Sequence, residues 1–145
     1  MQYPEISIIF PGEHKKIIQV LSSLHKINND IVVYDIDDTL IDNNGKPKSD
    51  IISTFHFAKT KGYDIAIITA RPGYPNNLKW TVEQLKNFGL TGYKYLFMMP
   101  PEQKDPSLYK VSARKYLHTI GHRVVSSIGD MPWDVGIYGG IGFKL

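Results

Sequence analysis

The stretch Ile31-Val32-Val33-Tyr34 constrains this chain more than any other. It has no alternation of polar and apolar side chains, so it reads as a strand buried within a sheet. The run stops abruptly at Asp35-Ile36-Asp37-Asp38-Thr39. Carboxylates are thereby delivered to a strand's carboxyl end, the edge at which open α/β sheets bind ligands. Asp38-Thr39 can be read as a simple turn or cap. Asp35 and Asp37 alternate about Ile36, which puts both acids on one side of extended chain. Negative charge gathered there needs a partner, most simply a divalent cation.

The rest of the chain repeats the same unit. After Pro11-Gly12, the spacing of Ile17, Ile18, Leu21 and Leu24 predicts an amphipathic helix over residues 13–27, closed by Asn28-Asn29-Asp30. Asn43-Asn44-Gly45 supplies a turn, and Pro47 and Ser49 open a second helix carrying Ile51, Ile52, Phe55 and Ala58 as far as Gly62. Ile65-Ala66-Ile67-Ile68 is a second buried run, and it ends at Thr69-Ala70-Arg71-Pro72-Gly73. Leu78, Val82 and Leu85 predict the apolar face of a third helix that closes at Gly89. A strand over 95–99, a helix over 107–121 with Ala113, Leu117 and Ile120 on its apolar side, a strand over 124–128 and a short last strand over 140–143 complete the series. Strands alternating with helices predict an α/β fold: a single doubly wound, Rossmann-like domain over residues 1–145, with a mainly parallel sheet and helices on both faces.

In such a sheet the ends of parallel strands share one edge. Asp35 and Asp37, then Thr69 and Arg71, then Asp130 and Asp134 all follow strand ends, so they are expected to converge on one crevice. Lys110 joins them by another route. It precedes Ala113 by three residues and Leu117 by seven, which sets it over the apolar side of its helix, where an ammonium either has an anionic partner or snorkels to solvent with its stem on the core. His118 and His122 stand four apart with Gly121 between them and no accompanying zinc motif, and are expected to be surface histidines. Trp133, between two site acids, either walls the pocket or plugs the sheet edge.

Composition narrows the function classes. The chain has 145 residues, 42% of them hydrophobic, enough for one domain with a true core. It has no cysteine, which excludes disulfides, thiolate catalysis and Cys-ligated zinc. A net charge of +3 with lysines spread along the chain gives a mild bias toward anionic substrates without the dense basic stripe of a nucleic-acid arm. No stretch is long enough to span a membrane, and Met1-Gln2-Tyr3-Pro4-Glu5 lacks a basic start followed by an apolar run, so a cytoplasmic location is expected.

The order of these pieces resembles the haloacid dehalogenase superfamily of phosphatases. Asp35-Ile36-Asp37-Asp38-Thr39 matches its D-x-D-x-T motif, Thr69 its second motif, Lys110 its third, and Gly129-Asp130 with Asp134 its G-D-x-x-x-D motif. Leu108-Tyr109-Lys110, Arg114, Gly121-His122-Arg123-Val124 and Gly142-Phe143-Lys144-Leu145 look most like the class B acid phosphatase branch. The resemblance implies a phosphomonoester hydrolase in which Asp35 attacks phosphorus to give an aspartyl-phosphate. Asp37 would protonate the leaving group and then deprotonate the attacking water. A site of hard oxygen donors favours Mg²⁺, held by Asp35, Asp130 and the backbone carbonyl of Asp37, with Asp134 bound directly or through water. Lys110 and Thr69 would hold phosphoryl oxygens, and Arg71 is a further candidate for phosphate or the rest of the substrate, as are Lys46, Lys48 and Lys104.

No interval has room for the large cap domain that often sets specificity in this superfamily. Only residues 40–47 remain, as a short flap. An open site of that kind suits a nucleotide, a nucleic-acid end or another exposed phosphate, or else is covered by another subunit of a homo-oligomer. Two other classes compete: a receiver-type signalling domain, which keeps its phosphoryl group and carries its acids on different strands, and a non-catalytic phosphate binder, which would most simply lack the nucleophile.

Overall fold

The strand expected from the Ile31 run is buried at every residue. In a computed structural model of the chain, which describes residues 5–145, it is the second of six strands in one sheet. The strands are β1 (Ile6–Ile8), β2 (Asp30–Tyr34), β3 (Asp64–Pro72), β4 (Tyr95–Met99), β5 (Arg123–Gly129) and β6 (Ile141–Lys144). They lie in the order β1-β6-β5-β2-β3-β4, and every pairing is parallel. Residues 1–4, on which part of the expectation about the N-terminus rests, lie outside the described residues. Among the described residues no helix is long and apolar enough to cross a membrane.

Helices α1 (Lys15–Ser23), α2 (Ser49–Thr60) and α3 (Pro75–Asn87) share one face of the sheet, and α4 (Pro106–Thr119) covers the other. Ile17, Leu21, Phe55 and Leu85 pack with Val32, Tyr34, Ile65 and Ile67 in the larger core. Ala113 and Leu117 pack with Ile31, Val33, Ala66 and Ile68 in the smaller one. Removing these side chains from water supplies most of the drive for the layered arrangement. The chain leaves β2 for β3 and β4, then returns through α4 to β5 on the other side of β2. The sheet therefore changes direction between β2 and β5, the position at which such folds bind ligands.

The opposite ends of the same two strands are fastened by a buried charge. Asp30 and Arg123 face each other in the β2–β5 register, and Arg123 donates from Nε to Asp30 Oδ1 at 2.8 Å and from Nη2 to Oδ2 at 2.6 Å. The Ile27 amide also donates to Oδ2, at 2.8 Å. Burial works against the Asp30 carboxylate, but the Arg123 and Ile27 bonds overcome it and hold its pKa below the ordinary value.

Several expectations need correction. The first strand is β1, an edge strand of three residues too short to announce itself by periodicity. Helix α1 stops at Ser23 rather than near residue 27: Ser22 and Ser23 turn their hydroxyls back onto the Ile18 and Val20 carbonyls, and Leu24 is extended. Its Ile17 and Leu21 pack into the domain. On α3 the buried residues are Thr81 and Leu85, while Leu78 and Val82 are 43% and 39% exposed, so the expected apolar face is only partly the packed one. Ile120 is likewise exposed. His118 is a surface residue as expected, but His122 is buried, with Nε2 2.9 Å from the Tyr95 hydroxyl and Nδ1 2.9 Å from the Asn29 carbonyl oxygen.

Candidate active site

β2 delivers Asp35 to the floor of a cleft of about 480 Å³ at the carboxyl edge of the sheet. The Asp35 amide still donates to the Ile128 carbonyl at 3.0 Å, so pairing with β5 continues through the residue and fixes its backbone. The chain then turns sharply. The Ile36 carbonyl accepts from the amides of Thr39 and Leu40, and Asp38 adopts a left-handed φ of 59°. The turn carries Asp37 outward, while the buried Thr39 hydroxyl points back and donates to Asp35 Oδ2 at 3.1 Å, with Asp130 Oδ1 at 3.5 Å.

α4 supplies the positive charge. Asp105 caps it by accepting from the Leu108 amide, and Pro106 opens it with a φ already suited to a helix. One turn in, Lys110 is buried as its spacing predicts. Its Nζ lies 2.8 Å from Asp35 Oδ1, 2.7 Å from the Ile68 carbonyl oxygen and 2.7 Å from Asp134 Oδ1. The last contact is an ion pair outside hydrogen-bond geometry, and Asp134 Oδ1 has no hydrogen bond although it is buried. Asp134 Oδ2 accepts from the Met131 amide at 3.0 Å. Asp134 also presses against the end of β5: a Cβ at position 129 would overlap the Asp134 side chain, and only glycine fits there.

Asp35, Asp130 and Asp134 each offer an oxygen within 4.8 Å of the others. Burial pushes the Asp35 carboxyl up to about 7; Lys110 pulls it down and Asp134 adds to the rise. One ammonium thus serves two buried carboxylates with a third beside them, and one buried oxygen lacks a hydrogen bond. A hard divalent cation with oxygen ligands fits that deficit, and all three acids are of the type it takes.

Arg71 sits across the cleft from this cluster. Past Thr69 the pairing of β3 with β4 breaks and resumes at Pro72, which frees the intervening segment to line the cleft. Arg71 donates from Nε to Asp37 Oδ2 at 3.0 Å and from Nη2 to Asp37 Oδ1 at 2.8 Å. Nη1 donates to Thr81 Oγ1 at 3.2 Å and Gln84 Oε1 at 2.8 Å, and the guanidinium carbon lies 5.1 Å from the centroid of the Trp80 ring. All three guanidinium nitrogens are thus engaged. The Asp37 side chain is 58% exposed and gets its fixed orientation from this grip.

Thr69 is buried three residues before the end of β3, behind the cleft rather than in its lining, and its Oγ1 accepts from the Arg71 amide at 3.1 Å. Asp35, Asp37, Arg71, Lys110, Asp130 and Asp134 all line the cleft, and Trp133 walls it. Lys46, Lys48 and Lys104 do not; Lys48 donates to the Asp38 carbonyl and Lys104 to that of Pro101. Thr39, Thr81 and Gln84 join the site without being expected there from the sequence. Thr39 had a signal in its place within the acidic motif. Thr81 and Gln84 did not, because their role depends on where α3 crosses the end of β3.

A family model described as HAD superfamily, subfamily IIIB (acid phosphatase), matches residues 44–136. The match takes in Thr69, Arg71, Lys110, Asp130 and Asp134 and begins after Asp35 and Asp37. No curated protein matches the chain.

Proposed function

The chain belongs to the HAD superfamily, subfamily IIIB, of acid phosphatases, and from that membership and the cleft we propose that it hydrolyses phosphomonoesters with Mg²⁺, through a phosphoryl group carried transiently on Asp35. One observation carries this reading: Lys110 Nζ lies between Asp35 Oδ1 and Asp134 Oδ1, 2.8 and 2.7 Å away, beside a third acid and with Asp134 Oδ1 lacking a hydrogen bond.

Asp35, Asp130 and Asp134, with the backbone carbonyl of Asp37, would hold the cation. When bound, Mg²⁺ supplies positive charge to the acids and to the phosphoryl oxygens. An Asp35 carboxylate oxygen forms a bond to phosphorus while the ester P–O bond breaks, and Asp37 gives a proton to the departing oxygen. Asp37 then takes a proton from a water whose oxygen attacks phosphorus. The P–O bond to Asp35 breaks, and inorganic phosphate leaves. Lys110 and the Thr69 hydroxyl stabilise the equatorial oxygens. Arg71 holds the Asp37 carboxylate at the cleft. Among the described residues no inserted domain covers the cleft, which supports an exposed phosphate as substrate, such as that of a nucleotide or a nucleic-acid end.

The test is phosphate release by the purified protein from a panel of aryl phosphates, nucleotides and phosphorylated nucleic-acid ends. The expected result is turnover with Mg²⁺ that chelation or Asp35→Asn abolishes. Absence of turnover on the whole panel, with Mg²⁺ present, overturns the reading.

A further inference from the structure

Arg114 is the largest fully buried side chain among the described residues, and it has no carboxylate partner in hydrogen-bond contact. Its guanidinium is spent on backbone. Nε donates to the Ile137 carbonyl at 3.0 Å, Nη1 to that of Trp133 at 2.8 Å, and Nη2 to that of Val135 at 3.4 Å. Ser127 Oγ continues the series with the Gly139 carbonyl and Ser126 Oγ with that of Ile141, each at 2.7 Å. Every second carbonyl from 133 to 141 therefore accepts from a side chain rooted in α4 or β5.

The segment so held is the one that bears Asp134. It is not a conformation the chain adopts unaided: Tyr138 has a left-handed φ of 62°, which persists in a bulky residue only where the surroundings over-determine it. The nearest fixed carbonyls flank Asp134 directly, at Trp133 and Val135. Arg114 lies one turn along α4 from Lys110, so a single helix face supplies the ammonium against the Asp134 carboxylate and the guanidinium against its backbone. Burial of so much charge costs several kcal/mol unless fully compensated. A hydrophobic side chain would fill the space at lower cost, so the use of arginine points to the three directed donors.

We propose that Arg114 is a positioning residue for the metal site, setting the place of the Asp134 carboxylate and of the Trp133 wall through the carbonyls on either side of Asp134. The proposal rests on the reading of Asp134 as a metal ligand. Outer partners of metal ligands typically alter metal affinity about 10–100-fold.

Two measurements on the whole protein decide it. The first is calorimetric titration with Mg²⁺ of the wild type, Asp134→Asn, Arg114→Lys and Ser127→Ala. Lysine keeps the charge and one carbonyl contact but cannot reach three. We expect Arg114→Lys to raise the Mg²⁺ Kd about tenfold or more and to recover much of its activity at saturating Mg²⁺. Ser127→Ala, which loosens the same segment five residues beyond Asp134, should lower thermal stability with little change in Kd. An unchanged Kd in Arg114→Lys overturns the proposal, as does an equal rise in Ser127→Ala. No Mg²⁺ binding by the wild type, or binding untouched by Asp134→Asn, overturns the metal reading itself. The second measurement needs no variant: amide hydrogen exchange of metal-free wild type. Residues 133–137 should exchange as slowly as β5. Fast exchange that slows only when Mg²⁺ is added would show that the cation orders the segment and would overturn the proposal.

Discussion

Arg71 grips both carboxylate oxygens of Asp37, with Nε 3.0 Å from Oδ2 and Nη2 2.8 Å from Oδ1, while its remaining nitrogen is tied to Thr81 and Gln84. The fork is anchored on α3 and presents a half-exposed acid to the cleft at a fixed angle. A basic residue at a strand end suggests a phosphate ligand; here four of its five N–H donors are engaged with protein, and one on Nη2 is left.

Arg71→Lys separates the two roles. A lysine is a point charge and cannot bind Asp37 bidentately while also holding Thr81 and Gln84. Loss of orientation at a proton donor costs about 10–100-fold in kcat, with KM changed much less. Steady-state kinetics on an aryl phosphate checks it. A raised KM with unchanged kcat would mean instead that Arg71 binds substrate.

Gly129→Ala tests the packing behind Asp134. A Cβ at that position overlaps the Asp134 side chain, so the carboxylate must move or β5 must shift. Overpacking of this kind costs about 1–3 kcal/mol, and the Mg²⁺ Kd should rise with it. Denaturant unfolding and a Mg²⁺ titration of the variant measure the two effects. Wild-type values of both would show that the contact is not tight.

The Asp30–Arg123 pair makes stability depend on pH in a definite direction. The folded-state pKa of Asp30 lies below its unfolded value, so its contribution is complete above about pH 4 and is lost as pH falls through the folded pKa. Asp30→Asn should therefore cost about 1.5–3 kcal/mol near pH 7, as expected for charge-assisted hydrogen bonds. The gap to wild type should narrow as pH falls below about 4, where Asp30 of the unfolded chain takes up its proton before that of the folded one. Unfolding curves at neutral and acid pH test this, and a gap that stays constant or widens in acid contradicts it.

Much of this architecture could be read from the chain because its physical causes are local. Burial of Ile31-Val32-Val33-Tyr34 needs no partner to be named, and the helical spacing of Lys110, Ala113 and Leu117 puts the lysine inside whatever the helix packs against. Parallel order then brings Asp35, Arg71, Asp130 and Asp134 to one edge. What could not be read depends on distant partners. His122 is buried because Tyr95 and the Asn29 carbonyl take its two ring nitrogens, and neither is near it in sequence. The exposed side of α3 carries Leu78 and Val82, so apolar spacing alone misplaces its packed face. Arg114 was visible only as part of a string beside Lys110, since its partners are carbonyl groups, which every residue has. β1 is recognised only through its pairing with β6 at the other end of the chain.

The phosphoryl group proposed for Asp35 can be trapped chemically. The most direct measurement is to quench the protein during turnover of an aryl phosphate with Mg²⁺, reduce any acyl-phosphate with borohydride, and find the modified residue by peptide mass analysis. Reduction is expected at position 35, absent without substrate and absent in Asp35→Asn. Modification at another residue, or sustained phosphate release by Asp35→Asn, would contradict it.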